Sequence, residues 1–387
     1  MASVGIIAEY NPFHNGHQYQ IEKIKKKYPN HTIVIAMSGN FTQRGEPAII
    51  DKWERATLAI KNGADLVVEI PYAFATQSAD YFSYAGITLL ENLKVDKLIF
   101  GSESNNIEDI TEIAKAELEN EDFDKLVKIY AKLGNNYPTA LSLALKDLTG
   151  KEIKTPNDIL GITYIKTIIK YHYNIKPMTI QRTNEYHNQK LTGTISSATA
   201  IRENIDKKED IKKAVPQNTF HALTTTPLHN REDYFPYLKY KIITEDTLEQ
   251  YHLVEPDLAV KLKKEILSSN SYEQLIQKVK SKHQTYSKIA RALLHILCNY
   301  KKESAKKNQK ITYIRLLGFN EKGRKYLNQH KKEITLPVIS KITKEKDAML
   351  ELEINTTKIY TLPYPNSKQE LKKEYQNTLY RKDNKND

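Results

Sequence analysis

The run Val4-Gly5-Ile6-Ile7-Ala8 is short, apolar and rich in β-branched residues, and Asn11-Pro12 breaks it. A segment of this length between turn formers reads as a strand buried on both faces, the kind that belongs to a parallel sheet covered by helices. From His17 onward the period changes. Tyr19, Gln20, Ile21 and Ile24 share one stripe, while Glu22, Lys23 and Lys25 to Lys27 face water. Strand, tight loop and helix therefore follow one another directly.

At the step from loop to helix, His14 and His17 are three positions apart with Gly16 between them, so both imidazoles project to the same side of the helix start. A helix N-terminus offers unpaired N–H groups and partial positive charge to an anion. Two imidazoles aimed there can donate hydrogen bonds to phosphate oxygens, and a glycine lets a phosphate approach the backbone. An ordinary pair of cap histidines gives the same four letters. Position directly behind a buried first strand favours the phosphate site.

Thr32 to Met37, Leu66 to Ile70 and Lys97 to Phe100 read as further buried strands, separated by helical stretches near 52–61 and 79–93, and Met178 to Gln181 as a fifth. This alternation predicts an α/β fold, a Rossmann-like parallel sheet with helices on both faces, whose ligands bind beyond the C-terminal strand ends. The polar loops Tyr10 to His17, Ser38 to Arg44, Gly101 to Ser104 and Arg182 to His187 should then converge on one crevice. Two helix starts belong with them. Thr155 reads as an N-cap with Pro156 in the first position, leaving Asn157 to reach a nucleobase or ribose. Ile195-Ser196-Ser197-Ala198-Thr199-Ala200-Ile201-Arg202 puts hydroxyls at a helix start and an arginine one turn later, an arrangement suited to holding a leaving pyrophosphate or to a simple serine cap.

Net charge is +12, from 59 Lys+Arg against 47 Asp+Glu, and the whole excess lies beyond residue 200. Beyond residue 300 the basic residues are interleaved with Tyr313, Phe319 and Tyr326. A basic module joined to a neutral one points to a polyanionic partner, most simply nucleic acid, and a solvated lysine-rich surface is the alternative. Residues 1–205 are accordingly expected as the catalytic domain, and 206–387 as a basic, mostly helical second domain. Helical patterning appears there near 257–269 and 272–301. Pro337 to Ile339 and Ile359 to Leu362 read as short strands or connectors, and the tail from Arg381 as disordered. Cys298, the single cysteine, sits in an apolar run and reads as buried and structural. No run approaches the roughly 18 apolar residues of a membrane span, and the N-terminus lacks a signal-peptide pattern, so the expectation is a cytoplasmic protein.

The stretch Gly5 to His17 with its N-P-F-H-N-G-H core, together with I-S-S-A-T-A-I-R at 195–202, resembles the nucleotidyltransferase superfamily of H-x-G-H adenylyl-transfer enzymes. Met37-Ser38-Gly39-Asn40-Phe41, Asp51-Lys52-Trp53, Tyr137-Pro138, Pro156 to Gly161 and Arg182 narrow the resemblance to the bacterial tRNA(Met) cytidine acetate ligase family, over most of residues 1–205. That resemblance implies two steps. Acetate attacks the α-phosphate of ATP to give acetyl-adenylate and pyrophosphate, and the wobble cytidine of elongator tRNA(Met) then takes the acetyl group, giving N4-acetylcytidine. It further implies that His14, His17 and Arg202 act on the phosphates. ATP would be held by Ile7, Ala8, Glu9, Tyr10, Asn11, Pro12, Phe13, His14, Asn15, Gly16 and His17, with Gly101, Asn157, Arg182, Ser197 and Arg202. Mg²⁺ is expected as the counter-charge to the triphosphate.

Ser38, Gly39 and Asn40 are the candidate acetate pocket, and Lys301, Lys302, Lys306 and Lys307 a candidate tRNA contact. No glycine-rich loop of the acetyl-CoA-dependent kind is present in the sequence, and no Cys/His cluster suggests zinc. Two other functions use parts of the same pattern: a small-molecule adenylyltransferase, which leaves the basic half without a role, and a non-catalytic RNA-binding protein that retains a nucleotide site.

Overall fold

The structure, a computed structural model, describes residues 1–135, 137–152, 155–182, 194–281, 284–342, 347–376 and 380–382. Its strands are β1 (Ser3–Ala8), β2 (Thr32–Ser38), β3 (Leu66–Ile70), β4 (Lys97–Ser102), β5 (Lys176–Gln181), β6 (Ile314–Asn320), β7 (Val338–Ile339) and β8 (Tyr380–Lys382). They form one sheet in the order β5-β4-β1-β2-β3-β6-β7, with β8 also beside β6. Strands β1 to β5 are parallel throughout. Every residue of β2 and β3 is buried, as near-continuous apolar strands under helices on both faces must be. The chain lays down β1, β2 and β3 in one direction and then crosses back to place β4 on the other side of β1. The direction of winding therefore reverses between β1 and β4, which opens a crevice at their C-terminal ends.

The expected helices at 52–61 and 79–93 are Lys52–Lys61 and Ala79–Asn92, and the first begins at Asn15 and ends at Lys27. Beyond residue 205 the structure departs from the sequence reading in three places. Ile359 to Thr361 are the last turn of a helix, Ala348–Thr361, rather than a strand or connector. Arg381 and Lys382 are not disordered but pair with Phe319 and Asn320 in β8, while residues 383–387 lie outside the described residues. Strand β6 runs antiparallel to β3 and so carries the sheet into the second half of the chain.

Residues 206–387 thus contribute two kinds of structure. Helices between Phe235 and Leu297 gather around a core of their own that includes Leu238, Leu258, Leu275 and Leu293; they are called the helical unit below. The remainder joins the main core, in which Val4 and Tyr360 belong to the same cluster, so the division near residue 205 does not separate the main core. Cys298 is buried beneath the helices, and burial pushes its thiol up to about 12. Among the described residues no helix is long and apolar enough to cross a membrane.

Candidate functional site

His14 is itself the N-cap of helix Asn15–Lys27, and His17 completes a reciprocal capping box with it. The His14 Nδ1 accepts from the Gly16 N–H at 3.0 Å, and the His17 Nδ1 accepts from the His14 N–H at 3.2 Å. With both Nδ1 atoms committed as acceptors, each neutral ring carries its proton on Nε2, so the caps themselves fix the tautomers. The rings stack at 3.7 Å between centroids, backed by Tyr10 and Phe13. Gly16 is required by this packing, because a Cβ there would lie 2.8 Å from His14 Cε1 and 3.0 Å from its Nδ1.

Both histidines are held neutral. Burial, reinforced by Arg182 and Arg202, lowers His14 to about 3, and burial, then His14 and Arg182, pulls His17 well below its ordinary value. A group whose folded pKa is depressed contributes stability above its unfolded pKa and loses it as pH falls towards the folded value. For His14 that window runs from 6.5 down to about 3. Burial holds His229 and His252 down as well, to about 3 and about 4. The thermal midpoint of the unliganded protein is therefore expected to fall on acidification from pH 7 to 5, before most carboxylates titrate. A midpoint flat over that interval would contradict the neutral assignment.

A cleft of about 960 Å³ including its mouth opens at the crevice between β1 and β4. Of the residues expected to bind the nucleotide, Ile7, Ala8, Glu9, Tyr10, Asn11, His14, His17, Gly101, Asn157, Arg182, Ser197 and Arg202 all line it. The structure gives the other four supporting places. Phe13 is wholly buried under the histidines and Pro12 is buried beside it. Asn15 donates to the carbonyls of Thr194 and Lys213 at 2.7 and 2.8 Å, tying the helix start to the chain around Ser197. Gly16 makes room for His14.

On one side of the cleft Asn157 donates to Glu103 Oε1 at 2.5 Å, and Arg182 Nε lies 4.0 Å from the same oxygen. Asp158 fixes this side. Its carboxylate accepts from the Ser102 hydroxyl, from the N–H groups of Glu103 and Ser104, and from Thr155 Oγ1 at 2.8 Å. Thr155 occupies the N-cap position expected of it but spends its hydroxyl on Asp158, with Pro156 in the first turn. Residues 183–187 of the expected loop lie outside the described residues.

Across the cleft, Ser197 caps helix Ala198–Glu203 by accepting from the Ala200 N–H at 3.1 Å. Arg202 is tethered twice, to the Asn11 carbonyl at 2.7 Å and to Glu46 Oε1 at 2.9 Å. Burial opposes ionisation of Glu46, but Arg202, Arg231 and Arg44 outweigh it and hold its carboxyl below the usual range. Glu9, half-buried on the cleft wall, is pushed up by desolvation, although its Oε1 accepts from the Gln43 N–H at 2.7 Å.

Sequence reasoning missed Gln20, Arg44, Phe100, Leu160, Tyr164 and Thr199 on the cleft walls. Arg44 was within reach, since the loop that carries it was expected to converge here; it contacts Thr199 Oγ1 at 3.1 Å. Ser38, Gly39 and Asn40 do not line the cleft. The Gly39 carbonyl accepts from Arg55, and Asn40 accepts from the Lys52 N–H at 2.9 Å and donates to Thr357 at 3.1 Å. That turn is committed to joining the sheet to the C-terminal helices. Among the surface lysines, Lys306 and Lys307 are exposed, Lys307 pairs with Glu303, Lys302 donates to the Val254 carbonyl, and Lys301 is the N-cap of their helix.

The chain matches the family described as HIGH Nucleotidyl Transferase over residues 1–375. It is 40% identical to the tRNA(Met) cytidine acetate ligase of Anoxybacillus flavithermus, over 97% of this chain and 98% of the relative. It is 39% identical to that of Caldicellulosiruptor saccharolyticus, over 98% and 99%. The solved structure of Thermotoga maritima TmcAL in its apo form superposes with a TM-score of 0.91 at 30% identity, covering 99% of this chain and all of that one. The same protein bound to alpha-thio ATP gives a TM-score of 0.86, again at 30% identity, over 96% of each chain.

Proposed function

The chain belongs to the HIGH nucleotidyl transferase family and, within it, to the tRNA(Met) cytidine acetate ligases, and from that premise we propose how its cleft carries out ATP-dependent acetylation of tRNA. ATP lies with its adenosine between Gly101, Asn157 and Arg182 and its phosphates over the His14–His17 helix start. The observation that supports this placement is the pair of fixed Nε2–H donors above an N-terminus, flanked by Arg202. An acetate oxygen attacks the α-phosphorus and pyrophosphate leaves. As charge gathers on the phosphates, the two imidazoles and Arg202 stabilise it without having to reorganise. The exocyclic amine of the cytidine then attacks the acetyl carbonyl, and AMP departs carrying the bridging oxygen.

Mg²⁺ enters with the nucleotide. Among the described residues no three His, Cys, Asp or Glu side chains come together to hold a metal ion, and such an ion is commonly carried by the phosphates with few protein ligands. Acetate needs a cation on the cleft wall. Arg44 supplies one from the same loop whose Gly39 carbonyl and Asn40 side chain are committed elsewhere. The cytoplasm, where ATP and tRNA meet, is the place of reaction.

Gly16→Ala is expected to displace the His14 ring and reduce acetate-dependent ATP–pyrophosphate exchange by about 10- to 100-fold, as small misplacements of a catalytic group do. Full activity in that variant would show that His14 can shift without consequence. The basic second half is proposed to hold the tRNA. Reversing Lys306 and Lys307 is expected to lower the slope of log affinity against log salt by roughly 0.7–0.9 per lost phosphate contact, leaving tRNA-independent exchange unchanged. An unchanged slope would move the tRNA contact away from these lysines.

Incubation with labelled acetate, ATP and total tRNA, followed by nucleoside analysis, tests the whole reading. Label is expected in N4-acetylcytidine of elongator tRNA(Met). Acetate-independent transfer of AMP to a small metabolite, or tRNA binding without any ATP turnover, would replace this reading with one of the two alternatives.

A further inference from the structure

The loop after β2 lies between the cleft and the helical unit and makes contacts to both. It is closed on itself: Phe41 bridges Pro47, Thr42 N–H donates to the Glu46 carbonyl at 3.0 Å, and Gly45 N–H donates back to the Thr42 carbonyl at 3.0 Å. Towards the cleft, Gln43 N–H meets Glu9, Arg44 meets Thr199, and Glu46 Oε1 meets Arg202. Towards the helical unit, Gly45 adopts a φ of +74° against the backbone of Ala290 and Arg291, where a Cβ would lie 2.5 Å from Arg291 N. A closed loop seated that tightly cannot follow one neighbour without the other.

Glu46 is the residue that touches both sides through one carboxylate. Its Oε2 receives the guanidinium of Arg231, with Nε at 3.1 Å and Nη2 closer. Arg231 stands immediately before the helical unit, donates to Tyr286 Oη and lies over the rings of Tyr286 and Tyr272, at 5.3 and 5.9 Å from their centroids. Tyr286 in turn donates to Glu273 at 2.7 Å. Charge decides what this arrangement does. Glu46 alone would orient Arg202 but cancel its charge, and a neutral pair attracts a triphosphate poorly. With Arg231 on the other carboxylate oxygen the triad carries a net single positive charge, so Arg202 is held in place and keeps its attraction for phosphate.

We propose that Glu46 is a positioning residue for the adenylation step and that Arg231, at the root of the helical unit, is its charge-compensating partner, so that the helical unit sets both the orientation and the effective charge of Arg202. This rests on the reading that the cleft adenylates acetate. It predicts opposite charge effects from two residues that touch each other. Arg231→Ala leaves Glu46 to neutralise Arg202 and is expected to weaken Mg-ATP binding about tenfold, the effect of one charge roughly 12 Å away at an effective dielectric of about 20. Glu46→Gln removes the ionic one of the two tethers on Arg202 but not the charge of Arg202, so ATP binding is expected to stay as tight or become tighter while kcat for acetate-dependent ATP–pyrophosphate exchange falls about 10- to 100-fold.

The double variant Glu46→Gln/Arg231→Ala restores the net charge. It is expected to bind ATP within about twofold of the unmodified protein, although its exchange stays slow. A purely structural role for the triad predicts instead that the double variant is at least as impaired in binding as either single one. Calorimetric titration with Mg-ATP and the exchange assay, on the full chain, measure both quantities. ATP affinity unchanged in Arg231→Ala, or not restored in the double variant, overturns the proposal. Should Arg231→Ala fail to fold, Glu46→Gln alone decides: lost affinity with unchanged kcat overturns it, and the reverse supports it. Absence of acetate-dependent exchange in the unmodified protein would instead overturn the functional reading, and the binding measurements would still test the charge balance.

Discussion

Replacing His17 with alanine is expected to lower acetate-dependent ATP–pyrophosphate exchange by about 10²–10³, the usual cost of removing one preorganised donor from a site of developing charge. His17 contributes the second Nε2–H donor, and its Nδ1 occupies the His14 N–H at 3.2 Å. The variant therefore loses a phosphate donor and half of the cap that orients the other. Folding should survive, because His17 is partly exposed on the first turn while Phe13 and Tyr10 beneath it remain buried. Circular dichroism and the exchange rate are the two measurements. Exchange within about twofold of the unmodified protein would remove His17 from the phosphate site.

Lys52→Met is expected to cost stability on the scale of 3–5 kcal/mol, since it leaves buried carboxylates without their cation. Lys52 Nζ lies 2.8 Å from Glu69 and 2.7 Å from Glu374, and all three side chains are 1% exposed. Burial disfavours the charged ammonium, but Glu374, Glu69 and Glu353 outweigh that and raise its pKa above the ordinary value. Desolvation, then repulsion from Glu69, pushes the Glu353 carboxyl well above its ordinary value. With a typical domain stable by only about 5–15 kcal/mol, a loss of this size removes a large share of the total. Urea unfolding at pH 7 checks it. Acidification should narrow the gap to the unmodified protein by protonating the stranded carboxylates. A loss below about 1 kcal/mol would contradict the claim that Lys52 holds the C-terminal helices to the sheet.

That same cluster explains what was legible in the sequence and what was not. The first strand, loop and helix could be read because their signals are local: a β-branched run, a turn at Asn11-Pro12, a helical stripe after His17. Ser38-Gly39-Asn40 gave an equally local signal, a polar turn after a buried strand, but its Asn40 side chain bonds Thr357, 317 positions away. Asp51-Lys52-Trp53, part of the family resemblance, likewise serves as an anchor. Asp51 caps its helix and pairs with Lys373, Lys52 meets Glu374, and Trp53 lies under the guanidinium of Arg315.

Strand β6 was hidden for a related reason. Arg315 interrupts its apolar run, and it is buried with its Nη2 on the backbone carbonyl of Glu374 at 2.8 Å and its guanidinium over the Trp53 ring, both far away in sequence. Glu46 shows the same limit at the cleft. Nothing near it in sequence marks a carboxylate whose partner Arg231 lies 185 positions later. Local periodicity identified the loops that reach the cleft, whereas long-range pairing of buried charges decided which of their residues face it.

The central claim is that acetate attacks the α-phosphorus of ATP in the His14–His17 cleft and that the acetyl group then passes to tRNA. Acetate labelled in both oxygens with ¹⁸O, turned over with ATP and tRNA, tests it most directly through the mass of the released AMP. One ¹⁸O atom per AMP is the predicted result, because the oxygen that bridges carbon and phosphorus stays with phosphorus when the cytidine amine takes the acetyl group. Unlabelled AMP, or label in phosphate or pyrophosphate instead, would contradict an acetyl-adenylate intermediate.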